Sequence, residues 1–202
     1  MGTADDRGAP SCFLGAQMAK KIYLTEDKPV GIRILEVMTQ IAVVAVFALF
    51  VAKFLFFSTD NSSKSMEPTI PSGAIVFSDR LSYVFTGPKR FDVIAFTRAE
   101  GSGDILLRRV IGLPGETVRI YRGIVYINDE KLDVSPYLSE ITSDGLAETG
   151  ITLGENEFFV LGDTPANSED SRMSTVGAVP MSRIIGRAWM TAKSITDLHY
   201  IR

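Results

Sequence analysis

The sequence is short of the residues that usually announce metal or acid–base chemistry. Its 202 residues include one cysteine, Cys12, and one histidine, His199. A single cysteine excludes an intramolecular disulfide. The pair cannot assemble a Cys/His zinc site, and nothing else in the chain calls for a metal or cofactor. A Ser/His/Asp triad would have to recruit His199 from the C-terminal end, where chains are usually poorly held. Basic residues are not in excess either. Lys and Arg number 21 against 24 Asp and Glu, for a net charge of −3. With no basic block, the composition points away from nucleic acid as a partner. No internal repeat is present, and outside one segment there is no helical periodicity of useful length.

That segment is IAVVAVFALFVAKFLFF, residues 41–57. Only Lys53 interrupts it, at the far end, where a long stem can snorkel to an interface. With Leu35, Val37 and Met38 upstream, the apolar stretch approaches the ~20 residues that cross a bilayer. It begins too far into the chain for a cleavable signal peptide, and bulky Phe56-Phe57-Ser58 follows it. The expectation is an uncleaved anchor over 34–57 in membrane lipid. Lys20, Lys21, Lys28 and Arg33 precede it, whereas Asp60 and Lys64 follow. The positive-inside rule then predicts a cytoplasmic tail over 1–33 and an extracytoplasmic domain over 58–202 of a plasma-membrane protein. Cys12 would be a free thiol in a reducing compartment.

From Ala74 on, the pattern changes. AIVF (74–77), DVIAF (92–96), ILLRRVIG (105–112), TVRIY (117–121), IVYIN (124–128), EFFVLG (157–162) and RIIGRAWM (183–190) are β-branched and aromatic runs bounded by turn formers. They predict a mainly β, antiparallel domain. RIYRGIVYI predicts a hairpin turning at Arg122-Gly123, and LPGE (113–116) a turn with Pro then Gly. Residues 133–156 are weakly patterned and predict a small loop or flap.

Within NSSKSMEPTIPSG (61–73), Ser65 has the setting of a nucleophile, and a serine needs a partner to take its proton. Four segments bear on this: SKSMEPTI (63–70), KRFDVIAF (89–96), LRRVIGLPGE (107–116) and GDTPANSEDSR (162–172). In this order, behind a single anchor, they resemble the type I (leader) signal peptidases, short bacterial type. The likeness runs from about Lys53 to Trp189. It implies a serine endopeptidase that removes signal peptides, with small residues at the cleavage site, from exported preproteins. It implies Ser65 as nucleophile, and Ser63 with the Ser65 amide as oxyanion donors. Asp163, Ser168, Asp170 and Arg172 would orient the base and hold the site, Asp170 pairing with Arg172. Met66 and Leu107 would line the pockets for small substrate side chains. Departures from the family pattern are Phe91, where glycine is usual, and Thr164-Pro165, where Asn-Arg is usual.

The serious departure is Arg108, at the position of the family's general-base lysine. A lysine near pKa ~10.4, lowered about three units by burial, is roughly a quarter neutral at pH 7. Arginine starts near 13 and stays protonated. Lys64, Lys89, Lys193 and His199 are the substitutes in the chain. Two readings follow. One is a working signal peptidase, slow or with a displaced base. The other is a degenerate paralogue that binds exported segments without cutting them. A soluble self-cleaving repressor is excluded by the anchor and the lack of a DNA-binding segment.

Overall fold

The computed structural model describes residues 29–101, 103–194 and 197–201. Cys12 and the expected tail up to residue 28 lie outside them. Helix α1, Val30–Leu55, is 26 residues long, about 39 Å at 1.5 Å per residue. It is long and apolar enough to cross a membrane. Its apolar side chains are exposed from Val30 to Phe50. The Thr39 hydroxyl donates to the Leu35 carbonyl at 2.8 Å, so it does not need a partner off the helix. The helix differs at both ends from the 34–57 span expected. Phe56 and Phe57 leave it to start strand β1, Phe56–Asn61, because they pair in register with β2, Ala74–Asp79.

The remaining elements follow in chain order. A single helical turn, α2, spans Ser82–Phe85; strand β3 spans Val93–Thr97 and β4 spans Ile105–Gly112. Next come β5, Thr117–Tyr121, β6, Ile124–Ile127, and β7, Glu130–Lys131. They are followed by β8, Ile151–Thr152, β9, Glu157–Leu161, β10, Val179–Pro180, β11, Ile184–Ser194, and β12, Asp197–Tyr200. The large sheet runs β1-β2-β11-β3-β4-β9-β10. Strands β3 and β12 share one edge of β11, which is long enough to pair with both. A second sheet runs β7-β6-β5-β8, and every strand pair is antiparallel. The seven runs read as strands from the sequence are all strands here.

Strand β3 shows why VIAF has no polar alternation. Val93 and Ala95 pack with Met66, Ile70, Val76 and Leu107. Ile94 and Phe96 pack with Val110, Phe158 and Val160. Both faces are covered, as in strands that read as continuous apolar runs. The second sheet closes a further core with Ile111, Phe159 and Leu161.

The turns follow their residues. Arg122 and Gly123 both have positive φ, at 51° and 75°, the two-residue hairpin geometry that matches strand twist. Their amides donate to the Asp144 carboxylate at 2.9 and 3.0 Å. A side chain at Gly123 would meet the Ile141 carbonyl at 2.6 Å. In LPGE, the Glu116 amide donates to the Leu113 carbonyl at 3.1 Å. The segment 133–156 is not a flap. Leu138, Ile141, Ala147 and Leu153 are buried in the core beneath the second sheet. Their spacing has neither strand nor helix period, so the sequence pattern could not show it.

Candidate active site

The site forms where the 63–70 turn meets β4 and the 162–172 loop. Ser65 and Met66 are fully buried. The turn is fastened to the loop from both ends. The Thr164 amide donates to the Ser65 carbonyl at 2.9 Å, and the Thr164 hydroxyl donates to the Glu67 carbonyl at 2.7 Å. Gly162 allows the approach: a Cβ there would lie 2.3 Å from Ser168 Oγ and 2.8 Å from the Ser65 carbonyl. Thr164, a departure from the family pattern, is therefore a tie between the two motifs.

Three groups converge. The Ser63 hydroxyl donates to Ser65 Oγ at 2.9 Å. The Ser65 amide donates to Ser63 Oγ at 3.1 Å. Arg108 Nη1 donates to Ser65 Oγ at 2.7 Å and to the Leu107 carbonyl at 2.6 Å. Arg108 Nε donates to the Glu169 carbonyl at 2.8 Å. Arg108 as a whole is only 3% exposed. Burial is the main cause that pushes its pKa down to about 10, against the opposing pull of Asp170 and Glu169. It remains cationic at neutral pH.

The neighbouring Arg109 takes other partners. It grips Asp163 with two bonds, Nε to Oδ1 at 2.9 Å and Nη2 to Oδ2 at 2.6 Å, both side chains fully buried. It also donates to the Phe91 carbonyl at 2.9 Å and lies over the Tyr137 ring at 4.5 Å. Thr69 Oγ1 donates to Asp163 Oδ2 at 2.5 Å. Arg172 pairs with Asp170 at 2.9 Å and donates to the Pro165 carbonyl at 2.6 Å. The Asp170–Arg172 pair expected from the resemblance is thus present as a contact.

Other expected residues fall differently. Ser168 Oγ is buried without a hydrogen-bond partner, and Asp163 bonds Arg109 and Thr69. Met66 packs inside the core with Ile70, Val76 and Leu107. A cleft of about 660 Å³ is lined by Ser63, Leu106, Leu107 and Arg108 on one side of the site, with Arg98 and Glu169 further along. Met66 and Ser65 are not among its lining residues. Lys64, Lys89 and Lys193 are exposed, and His199 pairs with Asp197 on β12. None of the four lines the cleft.

Several site residues were not singled out from the sequence. Thr69 and Arg109 are two, and both bond the expected Asp163. The Arg98–Glu169 ion pair, 2.7 Å, borders the cleft. The one available signal was the doubled arginine of LLRRVIG, since two consecutive cations inside an apolar strand need partners.

A hydroxyl pair and a strand-borne cation therefore meet at the end of a groove in a two-sheet β domain. Residues 34–192 match the family model described as Signal peptidase, peptidase S26, and the chain belongs to that family. It is 35% identical over 159 residues to a signal peptidase I of Bacillus caldolyticus, covering 73% of this chain and 82% of that protein. It is 32% identical over 154 residues to signal peptidase I T of Bacillus subtilis, covering 72% and 78%. A probable signal peptidase I-2 of Synechocystis is 33% identical over 134 residues, 63% of this chain and 59% of that protein. The chain thus spans less than two thirds of the Synechocystis protein. A solved signal peptidase I from Enterococcus faecalis V583 is 32% identical, covering 50% of this chain and 97% of that one, with a TM-score of 0.40.

Proposed function

We propose that this chain is a membrane-anchored serine endopeptidase that removes signal peptides from exported preproteins, with Ser65 as nucleophile. The observation that carries this reading is the convergence of Ser63, Ser65 and Arg108 beside the cleft. In the reaction, Ser65 Oγ attacks the scissile carbonyl and its proton leaves to an acceptor. To serve the oxyanion, the Ser63 hydroxyl and the Ser65 amide exchange their resting bonds, to Ser65 Oγ and Ser63 Oγ, for bonds to the anion; a donor of this kind contributes on the order of 3 kcal/mol. The Leu106–Leu107 wall suits small apolar side chains next to the scissile bond. Strand β4 pairs with β9 only from Arg109 on, so Ile105–Arg108 keeps one free edge on which an extended peptide can pair. Helix α1 serves as the anchor. Arg108 Nη1 is the nitrogen bonded to Ser65 Oγ, and only in its neutral form could it take that proton.

One observation favours a second reading. Arg108 donates to Ser65 Oγ and has no lone pair with which to accept its proton while charged. Under that reading the chain binds exported segments without cutting them. A preprotein with small residues at its cleavage site, incubated with the full chain in detergent, separates the two. Cleavage that disappears in Ser65→Ala and drops by up to ~10²–10³ in Ser63→Ala supports the peptidase. Undiminished cleavage by Ser65→Ala sinks it. Binding without cleavage by the wild type leaves the second reading.

A further inference from the structure

Among the described residues, Arg108 is a buried cation that makes no ion pair of its own. The two nearby carboxylates are already paired, Asp170 with Arg172 at 2.9 Å and Glu169 with Arg98 at 2.7 Å. Among the described residues, the guanidinium bonds only neutral groups: the Ser65 hydroxyl and the Leu107 and Glu169 carbonyls. A buried charge is normally paired, because desolvation without an opposite charge is expensive. Among the described residues no hydrogen bond uses Arg108 Nη2, and that atom is not sealed from solvent. The cleft reaches Arg108 and Ser63, but not Ser65. A group entering along the cleft therefore meets the cation and the Ser63 hydroxyl first.

We infer that Arg108 and Ser63 form a receptor for the C-terminal carboxylate of a peptide ending in small residues. The ligand class follows from what surrounds the cation. The free edge of Ile105–Arg108 takes an extended chain, and Leu106 and Leu107 flank its last residues. The edge ends at Arg108, whose bonds among the described residues are to neutral groups. Arg98, the other arginine lining the cleft, is already paired with Glu169 at 2.7 Å and with Asp104 at 3.7 Å. An extended peptide whose single negative charge is its own terminus matches this pattern, whereas an internal peptide segment leaves Arg108 unpaired. In a two-donor contact, Arg108 Nη2 meets one carboxylate oxygen, and the Ser63 hydroxyl gives up its bond to Ser65 Oγ to meet the other. A lysine here would be partly neutral and would hold such an anion less well. Replacing lysine by arginine thus turns a group that accepts a proton into one that retains a carboxylate, the form in which a cut signal peptide ends. This rests on the reading that the cleft recognises signal-peptide ends, but it does not require that this chain make the cut.

The probes are a fluorescein-labelled peptide ending in Ala-Leu-Ala with a free carboxylate and the same peptide amidated at its C-terminus. Each is titrated against the full chain in detergent by anisotropy. The acid should bind roughly tenfold or more tighter than the amide, as expected for a charge-assisted contact. Arg108→Met should abolish that preference, and Arg108→Lys should keep part of it, with thermal melting confirming that each variant is folded. The comparison of acid with amide on the wild type needs no variant at all. Equal binding of acid and amide, no binding of either, or a preference that survives Arg108→Met overturns the inference. Displacement of the peptide by acetate at matched concentration overturns the peptide part of it. Preprotein cleavage, measured in parallel, reports on the proposed function separately: cleavage with no acid preference sinks only the receptor, and acid preference with no cleavage sinks only the peptidase.

Discussion

Arg108 makes three donor contacts and no acceptor contact, and the chemistry of the site turns on that count. Its nitrogen holds Ser65 Oγ at 2.7 Å, a suitable distance for proton transfer but with the proton on the wrong partner. Burial lowers its pKa from 12.5 to about 10. Only the neutral form could accept the proton, and at pH values below 10 its fraction falls about tenfold per pH unit, to roughly one in a thousand at pH 7. Cleavage by the wild type should therefore climb steadily between pH 7 and pH 9.5, and a flat or acid-favouring profile of initial rates would rule Arg108 out as the acceptor. Arg108→Lys supplies a group that burial can make a usable base. Processing near pH 7 should rise by about 10²–10⁴-fold, and the gain should vanish when Ser65→Ala is added. Slower processing by Arg108→Lys than by the wild type would mean that another base operates. Much of this site was legible as residues. Ser63, Ser65, Arg108, Asp170 and Arg172 were all singled out, because they stand in short, ordered motifs. Glu169 and Thr69 were not, because their part depends on backbone carbonyls and on a partner distant in sequence. Phe91 has a physical account only in three dimensions. Its φ of 71° is a glycine-like conformation, and its ring stacks on Tyr137 at 4.7 Å.

At the scale of elements, β4 is the strand that organises the site, and the Arg109–Asp163 pair ties it to the 162–172 loop. Both side chains are fully buried, so removing one partner leaves an uncompensated charge in the interior. Arg109→Leu should lose about 3–5 kcal/mol of stability, read as a shift of the denaturant midpoint of the detergent-solubilised chain. Adding Asp163→Leu should recover part of that loss, since a buried pair replaced as a whole is often nearly neutral. A double variant less stable than Arg109→Leu alone would show that the Asp163 bond to Thr69 matters more than the pair. The long strands were legible because burial on one or both faces imprints a residue pattern. The two-residue strands β7, β8 and β10 were not, since each exists only through its ladder partner. Strand β1 was hidden for another reason: Phe56 and Phe57 extend the apolar run of α1 in composition, and only pairing with β2 separates strand from helix.

For the whole molecule, the open matter is which side of the membrane carries the β domain. Helix α1 fits a bilayer by length and composition, but length has no direction. Charge supplies one. Lys20, Lys21 and Lys28 precede it and Arg33 lies in its first turn, against Lys53 in its last turn and Lys64, offset by Asp60, beyond it. Short basic flanks are retained on the cytoplasmic face, so residues from Ser58 on should face outward. The single cysteine makes this testable with little alteration. In intact spheroplasts a membrane-impermeant maleimide should leave Cys12 unlabelled, and should label it once the membrane is permeabilised. In a Cys12→Ser/Lys193→Cys chain the thiol sits at an exposed position of β11 and should label in intact spheroplasts. That orientation is also the one the proposed activity needs, because signal-peptide cleavage sites emerge on the outer face. Labelling of Cys12 in intact spheroplasts, together with protection of the thiol at 193 until permeabilisation, would invert the topology. It would leave the domain facing the cytoplasm, where no exported cleavage site is presented to it.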